Sequence, residues 1–261
     1  MRLPLYQVDA FTSRLFGGNP AAICPLVNWL PDSLLQSIAA ENNLAETAYF
    51  VKETNGCRLR WFTPRVEMDL CGHATLAAAF VLFKCLGLAG ESVIFQSRSG
   101  PLTVTRTGDL YTLDFPSRPP LPSPDSAAIT AALGLAPQAV LAARDLFCVF
   151  GSEAEVAALK PDMKAVAGLS HLAVIVTAPG DDCDFVSRFF APALGVDEDP
   201  VTGSAHCTLT PYWADRLGKT TMTARQISAR GGDLTVEQVG DRVKMSGHAV
   251  LYLEGFASVA E

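Results

Sequence analysis

The 261-residue sequence lacks the features that mark several large classes of protein. It contains no run of lysine or arginine and carries a formal net charge of −7, which argues against a nucleic-acid partner. Its longest apolar run, near residues 74–83, ends at Lys84 and is too short to span a bilayer. The first residues show no signal-peptide pattern. We therefore expect a protein without nucleic-acid or membrane partners.

Recognisable metal and catalytic motifs are also missing. The seven cysteines form no Cys-x-x-Cys pair, which predicts reduced thiols and a cytoplasmic location. No Gly-x-Ser-x-Gly, His-Glu-x-x-His or Walker motif occurs. His206 and His248 have no partners at metal-ligand spacing. These absences predict that the protein has no metal site.

Two stretches that are present share one layout. The first, Asp-Leu-Cys-Gly-His at 69–73, leads into a helix that is apolar on nearly every face and is therefore expected to be buried on all sides. The second, at 198–206, is an acidic, glycine-containing turn that leads into a helix ending near Gly218. The first turn of a helix has free N–H groups and partial positive charge, which suit an anion. The repeat predicts two halves that face one cleft.

Strand patterns before and after both helices predict an α+β fold with antiparallel pairing. A stretch at 115–124 with five prolines in ten residues marks the boundary between the halves. We predict an N-terminal half, 1–115, around a central helix at 73–86. The C-terminal half, 116–261, surrounds a central helix at 204–217. Its last strand is expected to pair either within this half or with the first half. Residues 17–20 are interpreted as a turn.

Three residues of the first half are candidates for acid–base chemistry. Glu46 lies between a turn and an apolar strand, so it is either a solvated turn carboxylate or a general base whose pKa is raised by a cleft. His73, in the first helical turn, suits a neutral hydrogen-bond donor or proton shuttle, with a structural core histidine as the alternative. Cys71 is either a thiol activated by the helix start or a buried structural cysteine.

The second half offers a matching set. The charge of Asp199 before the second helix suits the helix dipole, so capping competes with catalysis as its role. Thr202, Gly203 and Ser204 provide backbone N–H groups and hydroxyls of the kind that hold a carboxylate or an enolate oxygen.

Motifs along nearly the whole chain resemble the PhzF-like family of phenazine biosynthesis. The resemblance implies a diaminopimelate epimerase-like fold, in which two similar halves each wrap a mainly antiparallel sheet around a central helix. It also implies a homodimer that needs no cofactor and has its active site between the halves. The motifs are Asp9-Ala10-Phe11, Gly18-Asn19-Pro20-Ala21, Glu41-Asn42-Asn43-Leu44-Ala45-Glu46-Thr47, Phe62-Thr63-Pro64, Asp69-Leu70-Cys71-Gly72-His73-Ala74-Thr75 and Glu198-Asp199-Pro200-Val201-Thr202-Gly203-Ser204-Ala205.

The resemblance also implies roles for single residues. In the phenazine enzyme a glutamate moves a proton on a dihydro-hydroxyanthranilate, and Glu46 matches its position. His73, Asp199 and Ser204 match the residues around that glutamate. The chain departs from the family in having Cys71 beside the Gly-His pair, and Ala45 where a serine is expected.

We therefore expect a cofactor-independent isomerase that moves a proton on a small carboxylate-bearing metabolite. Glu46 is the expected base, with Asp199 or His73 assisting. The substrate's carboxylate or oxyanion is expected at the helix starts, at Gly72 and at residues 202–204. An epimerase or racemase that uses Cys71 and Asp199 is the alternative within enzymology, and a non-catalytic binding or scaffold protein is the alternative outside it.

Overall fold

Several strands show alternating buried and exposed side chains along the chain. In the computed structural model, which describes residues 1–54, 56–124 and 126–259, strand β4 (Gly56–Phe62) shows the pattern clearly. Cys57, Leu59 and Trp61 are buried, whereas Arg58 between them is exposed. A period of two places one set of side chains on the core face of the sheet.

The chain divides into two units. Unit 1 comprises Met1–Asp114 together with the residues from Ser246 onward, and unit 2 comprises Phe115–Met245. Helix α1 (Asp32–Asn42) and helix α2 (Gly72–Phe80) belong to unit 1. The strands of unit 1 are β1 (Arg2–Ala10), β2 (Asn19–Leu26), β3 (Glu46–Glu53), β4, β5 (Glu67–Met68), β6 (Ser92–Ser97), β7 (Gly100–Thr107), β8 (Leu110–Pro116, which crosses the boundary) and the last strand, here called β18 (Ala249–Ser258).

Unit 1 is organised around α2, in which every residue is buried. Strand β1 pairs antiparallel with both β18 and β2. Along the rest of the sheet the pairings alternate: β2–β3 is parallel, β3–β4 antiparallel, β4–β6 parallel and β6–β7 antiparallel. Because α2 lies between β4 and β6 in the chain, it is the crossover connection of a parallel pair.

Unit 2 contains the remaining elements. Its central helix, α6 (Gly203–Leu217), ends at Gly218, which has a φ of 64°. A left-handed residue of this kind is a common helix end, and glycine adopts it without a steric cost. The other elements are β9 (Leu121–Pro122), α3 (Ala127–Leu133), β10 (Ala139–Ala142), β11 (Leu146–Val149), α4 (Glu153–Ala158), α5 (Met163–Ala167), β12 (Val174–Pro179), β13 (Phe185–Ala191), a 3₁₀ turn (Pro192–Leu194), β14 (Val196–Asp199), β15 (Thr221–Gln226), β16 (Gly232–Val239) and β17 (Arg242–Gly247).

The pairing order of unit 2 repeats that of unit 1. Strands β10–β11 are antiparallel, β11–β12 parallel, β12–β13 antiparallel, β13–β15 parallel and β15–β16 antiparallel. Helix α6 therefore occupies in unit 2 the place that α2 occupies in unit 1. The predicted fold class, α+β with two similar halves that each surround a central helix, is confirmed.

Some predicted bounds differ from the structure. The first central helix, predicted at 73–86, is α-helical only over Gly72–Phe80 and continues as a π-helix over Val81–Cys85. The second, predicted at 204–217, starts one residue earlier, at Gly203. The predicted turn at 17–20 is shorter than expected, because β2 already begins at Asn19. Among the described residues, none of the helices has both the length and the apolar composition that a membrane crossing requires.

Candidate functional site

Parallel pairing brings polar side chains to the start of α2 in unit 1. Strands β2 and β3 run parallel and pair Ala21 with Glu46, so both strands begin at the same edge of the sheet. Asn19 is the first residue of β2, and Glu46 is the first residue of β3. Cys71 precedes α2 in an extended conformation (φ −144°), and its carbonyl accepts both the N–H (3.2 Å) and the hydroxyl (2.5 Å) of Thr75.

His73 is the centre of this cluster. Its Nε2 lies 3.1 Å from Oε2 of Glu46, and its Nδ1 lies 3.1 Å from Nδ2 of Asn19 and 3.5 Å from Sγ of Cys71. The side chain of His73 is 4% exposed and that of Glu46 is 15% exposed. The distance between His73 and Glu46 is that of an ion pair, although the angle of the contact is too poor for an aligned hydrogen bond. The group is therefore almost closed to solvent, with a carboxylate as its charged member.

The contacts define the tautomer of His73. An amide nitrogen such as Nδ2 of Asn19 can only donate a hydrogen bond, so Nδ1 of the histidine accepts it. In the neutral ring the hydrogen is consequently on Nε2, on the side of Glu46. That hydrogen lies beside the Glu46 carboxylate, and proton transfer between the two groups requires a better alignment than the contact has here.

Opposing effects act on the two ionisable groups beside Glu46. Burial lowers the pKa of His73, but the negative charges of Cys71 and Glu46 raise it, and the net result lies well above its ordinary value. Burial, reinforced by the charge of Glu46, raises the pKa of the Cys71 thiol to about 11. The Cys71 thiol is therefore neutral near pH 7, and its negative charge contributes to the raised pKa of His73 only at higher pH.

The donor atoms of Glu46, Cys71 and His73 lie within 4.8 Å of one another and are of types that bind zinc. However, the sulfur lies at Nδ1 and the carboxylate at Nε2, so the two ligands approach opposite nitrogens of the ring. One ion bound to one nitrogen would not reach both in this arrangement. The geometry therefore does not favour chelation of one ion by all three residues.

The start of α6 in unit 2 has a different set of contacts. Thr202 precedes the helix, and Gly203 and Ser204 are its first two residues. The hydroxyl of Thr202 donates to Oδ2 of Asp199 at 2.5 Å, and its N–H donates to Oε1 of Gln226 at 2.8 Å. The Asp199 carboxylate therefore contacts the side chain of the residue that immediately precedes the helix.

A second buried histidine lies in the first turn of α6. Nδ1 of His206 is 2.9 Å from the carbonyl oxygen of Thr202, to which the N–H at this position donates. Burial lowers the pKa of His206 to about 4, so the ring is neutral near pH 7. Its ring packs against that of Phe185, with centroids 6.1 Å apart. His206 thus fixes the helix start and carries no charge.

The structure adds two polar residues that the sequence interpretation did not assign to a site, Asn19 and Gln226. Both are fully buried. Gln226 had a usable signal, because Met222 and Ala224 occupy the buried positions of β15 and Gln226 is the next residue in that alternation. A glutamine on the core face of a strand must find hydrogen-bond partners. Asn19 had only its place in a short turn-like motif.

Comparison with known proteins now adds the family. The sequence pattern of the phenazine biosynthesis-like protein family (PhzC-PhzF) matches residues 8–255. A protein of Pseudomonas aeruginosa that is named an uncharacterized isomerase is 54% identical, with 98% of each chain covered. A crystal structure of a PhzF-family protein from Enterococcus faecalis is 50% identical with a TM-score of 0.97, covering 99% of this chain and 100% of that one.

A more distant structure defines the wider fold class. The hydroxyproline epimerase of Agrobacterium vitis has a TM-score of 0.62 at 10% identity, with 98% of this chain and 92% of that one covered. It shows a shared fold alone. Together with the two similar units, the comparison places the chain among proteins with the epimerase-like fold. Within that class, the chain belongs to the phenazine biosynthesis-like (PhzF) family.

Proposed function

We propose that the protein is an isomerase that moves a proton on a small carboxylate-bearing metabolite, with Glu46 as the base. The observation that carries the proposal is the 3.1 Å contact between Glu46 and His73 within a nearly closed group. An acid and a base in contact, with the pKa of one strongly perturbed, are typical of a proton-transfer site. Close relatives named isomerases support the reaction class.

In the proposed reaction the Glu46 carboxylate takes a proton from a carbon of the substrate. The electron pair left behind delocalises towards an acidifying group such as a carboxylate or a conjugated double bond. The same proton then returns to a different carbon, so the product is an isomer and no oxidant is needed. His73, which holds a proton next to Glu46, stabilises the carboxylate before the transfer and supplies a proton path afterwards.

The substrate's negative charge requires donors. We propose that the backbone N–H groups at the start of α2, beginning at Gly72, serve this purpose in unit 1, and that those of Gly203 and Ser204 at the start of α6 offer donors of the same kind in unit 2. The N–H of Thr202 already donates to Gln226 and is not available to a substrate. Free N–H groups and the helix dipole favour an anion at such positions. Asp199 is proposed to assist proton transfer, which an Asp199→Asn variant tests directly.

A deuterium-exchange screen tests the proposal. The protein is incubated in heavy water with small amino, hydroxy and cyclohexadiene carboxylic acids, and the mass of each compound is followed. We expect at least one compound to gain mass with wild-type protein, and the gain to disappear with Glu46→Gln. Glu53→Gln is the matched control, because Glu53 lies on the same strand and pairs with exposed Arg58. Full exchange by Glu46→Gln would refute the assignment of the base.

The same screen separates the other candidate functions. Loss of exchange in Cys71→Ser, with exchange kept in Glu46→Gln, would indicate an epimerase that uses the thiol. The raised pKa of Cys71, about 11, works against that outcome because the reactive form of cysteine is the thiolate. Absence of exchange with every compound would favour a binding or scaffold role.

We further propose that the enzyme works in the cytoplasm as a homodimer without a cofactor. All seven cysteines carry free thiols, which supports a reducing compartment. Light scattering after size-exclusion chromatography tests the dimer: a mass near twice 27.8 kDa is expected, and a single-chain mass would contradict it.

A further inference from the structure

The turn before α6, residues 199–202, is held by side chains from the end of β15 and the loop after it. Gln226, which is 0% exposed, makes three hydrogen bonds to this turn. Its Oε1 accepts the N–H of Thr202 at 2.8 Å. Its Nε2 donates to the carbonyl of Asp199 at 2.6 Å and to Oγ1 of Thr202 at 3.2 Å. The single side-chain amide of Gln226 therefore forms hydrogen bonds with one donor and two acceptors of the turn.

These bonds impose a direction on the Thr202 hydroxyl. Because Nε2 of Gln226 can only donate, the oxygen of Thr202 accepts from it and keeps its own hydrogen for another acceptor. That acceptor is Oδ2 of Asp199, 2.5 Å away. The chain of donors thus runs from Gln226 through Thr202 to the Asp199 carboxylate. Without Gln226, the Thr202 hydroxyl could rotate and donate its hydrogen to another acceptor.

Ser228 extends the same support. Its hydroxyl donates to the carbonyl of Pro200 at 2.8 Å and accepts the N–H of Gly231 at 3.1 Å. Gln226 and Ser228 together hold the backbone of the turn at Asp199, Pro200 and Thr202. The turn itself spans only four residues, so little of its backbone is left unrestrained.

We infer that Gln226 is a positioning residue, which fixes the 199–202 turn and directs the Thr202 hydroxyl onto Asp199. It acts through these two residues. The amide is suited to this task because it combines a donor and an acceptor in one plane. Glutamate at this position would keep the acceptor for the Thr202 N–H but would lose both donated bonds, and methionine would lose all three.

Gln238 on β16 provides a matched control. Its Nε2 also spans a turn, donating to Ser117 Oγ at 3.1 Å and to the carbonyl of Gly240 at 2.6 Å. None of these groups belongs to the turn before α6. Gln238→Met therefore removes a side-chain amide with a similar set of hydrogen bonds. It shows the general effect on amide exchange of losing such a group.

Hydrogen–deuterium exchange of the amides in peptides covering 199–206 tests the inference without any substrate. We expect exchange in Gln226→Met to be at least about tenfold faster than in wild type, because opening of the turn no longer breaks these bonds. Gln238→Met should leave these peptides unchanged. Wild-type exchange in Gln226→Met, or equal acceleration in both variants, would overturn the inference.

A second experiment measures turnover. It rests on the proposed function and uses the compound found in the exchange screen. We expect Gln226→Met and Gln226→Glu to lower kcat about 10- to 100-fold with little change in KM, the range for residues that orient a functional group. Gln226→Glu also buries a carboxylate and should lower the melting temperature. Should Gln226→Met not fold, Gln226→Glu decides both arms. Accelerated exchange with unchanged kcat would leave Gln226 a structural residue and overturn its positioning role. If no compound turns over, the proposed function fails and the amide-exchange arm still decides whether Gln226 holds the turn.

Discussion

The two central helices each carry a buried histidine in their first turn, yet the two rings have opposite acid–base properties. His73 in α2 has a pKa well above its ordinary value, whereas burial lowers the pKa of His206 in α6 to about 4. Both side chains are almost completely buried, at 3% and 0% exposure. Burial alone therefore does not determine the charge of a histidine. The neighbours decide: the negative charges of Cys71 and Glu46 raise the pKa of His73, whereas His206 has only the carbonyl of Thr202 to oppose the effect of burial.

The repeated topology locates the source of this difference. Strand β3 of unit 1 corresponds to β12 of unit 2, since each is the second strand of the first parallel pair. Strand β3 begins with Glu46, whereas β12 begins with Val174, which is fully buried. The second strand of the parallel pair thus starts with an acid in one unit and with an apolar side chain in the other. Only the first unit acquires a charged partner for its helix-start histidine.

The largest effect is expected from removing that acid. Glu46→Gln should lower exchange of the substrate's proton by about 10² to 10⁴-fold, the usual contribution of a general acid or base. Rates of deuterium incorporation, measured by mass spectrometry, check this. A loss below about tenfold would show that the unit with the charged histidine is not the centre of the reaction.

The next effect concerns His206 and stability in acid. Its pKa is about 4 when folded and about 6.5 in an unfolded chain, so between these values the unfolded state binds more protons. Stability contributed by this residue is complete above about pH 6.5 and is lost as the pH falls towards 4, by about 3 kcal/mol in total. Urea unfolding across this range, compared with His206→Gln, isolates the effect. Identical pH slopes for the two proteins would contradict it.

A third prediction is that one substitution shifts the pKa of His73 in the same direction as that of His206. In Glu46→Gln one of the two negative charges that raise the pKa of His73 is gone, and the other, Cys71, is a neutral thiol near pH 7. Burial remains, so the pKa of His73 should fall below its ordinary value, as for His206. NMR titration of the imidazole signals measures this. A His73 that stays protonated at neutral pH in the variant would show that Glu46 does not control it.

The smallest effect concerns Cys71. Its raised pKa, about 11, and its burial should protect it from iodoacetamide at pH 7, whereas half-buried Cys85 and Cys183 should be alkylated first. Peptide mass spectrometry after timed labelling gives the order. Early labelling of Cys71 would indicate an activated thiol and would favour the epimerase alternative.

Much of the fold could be predicted because local patterns carry it. Alternation in residues 57–62 and the apolar run after Gly72 were sufficient to place β4 and α2. The parallel pairings β2–β3 and β4–β6 could not be predicted, since alternation shows which face of a strand is buried and not which strand lies beside it. The change to a π-helix at Val81 was also hidden, because an apolar run does not distinguish one helical pitch from another.

The candidate site shows the same limit. Glu46, Cys71 and His73 were selected from short motifs, and the structure brings their side chains together. The contact of Asn19 with His73 spans 54 residues, and that of Gln226 with Thr202 spans 24. Contacts of this kind depend on strand pairing across the sheet, which the motifs themselves do not encode.

The pairing of β1 with β18 has a consequence for synthesis on the ribosome. The register joins Arg2 to Ser258 and Ala10 to Ala249, so β1 is completed by a strand that follows all of unit 2 in the sequence. All of unit 2 is translated between them. The sheet that carries Glu46 therefore stays unfinished, with one edge of β1 unpaired, until β18 has been made. Unit 2 has all its strands earlier, and so the unit that contains His73 is the later of the two to close.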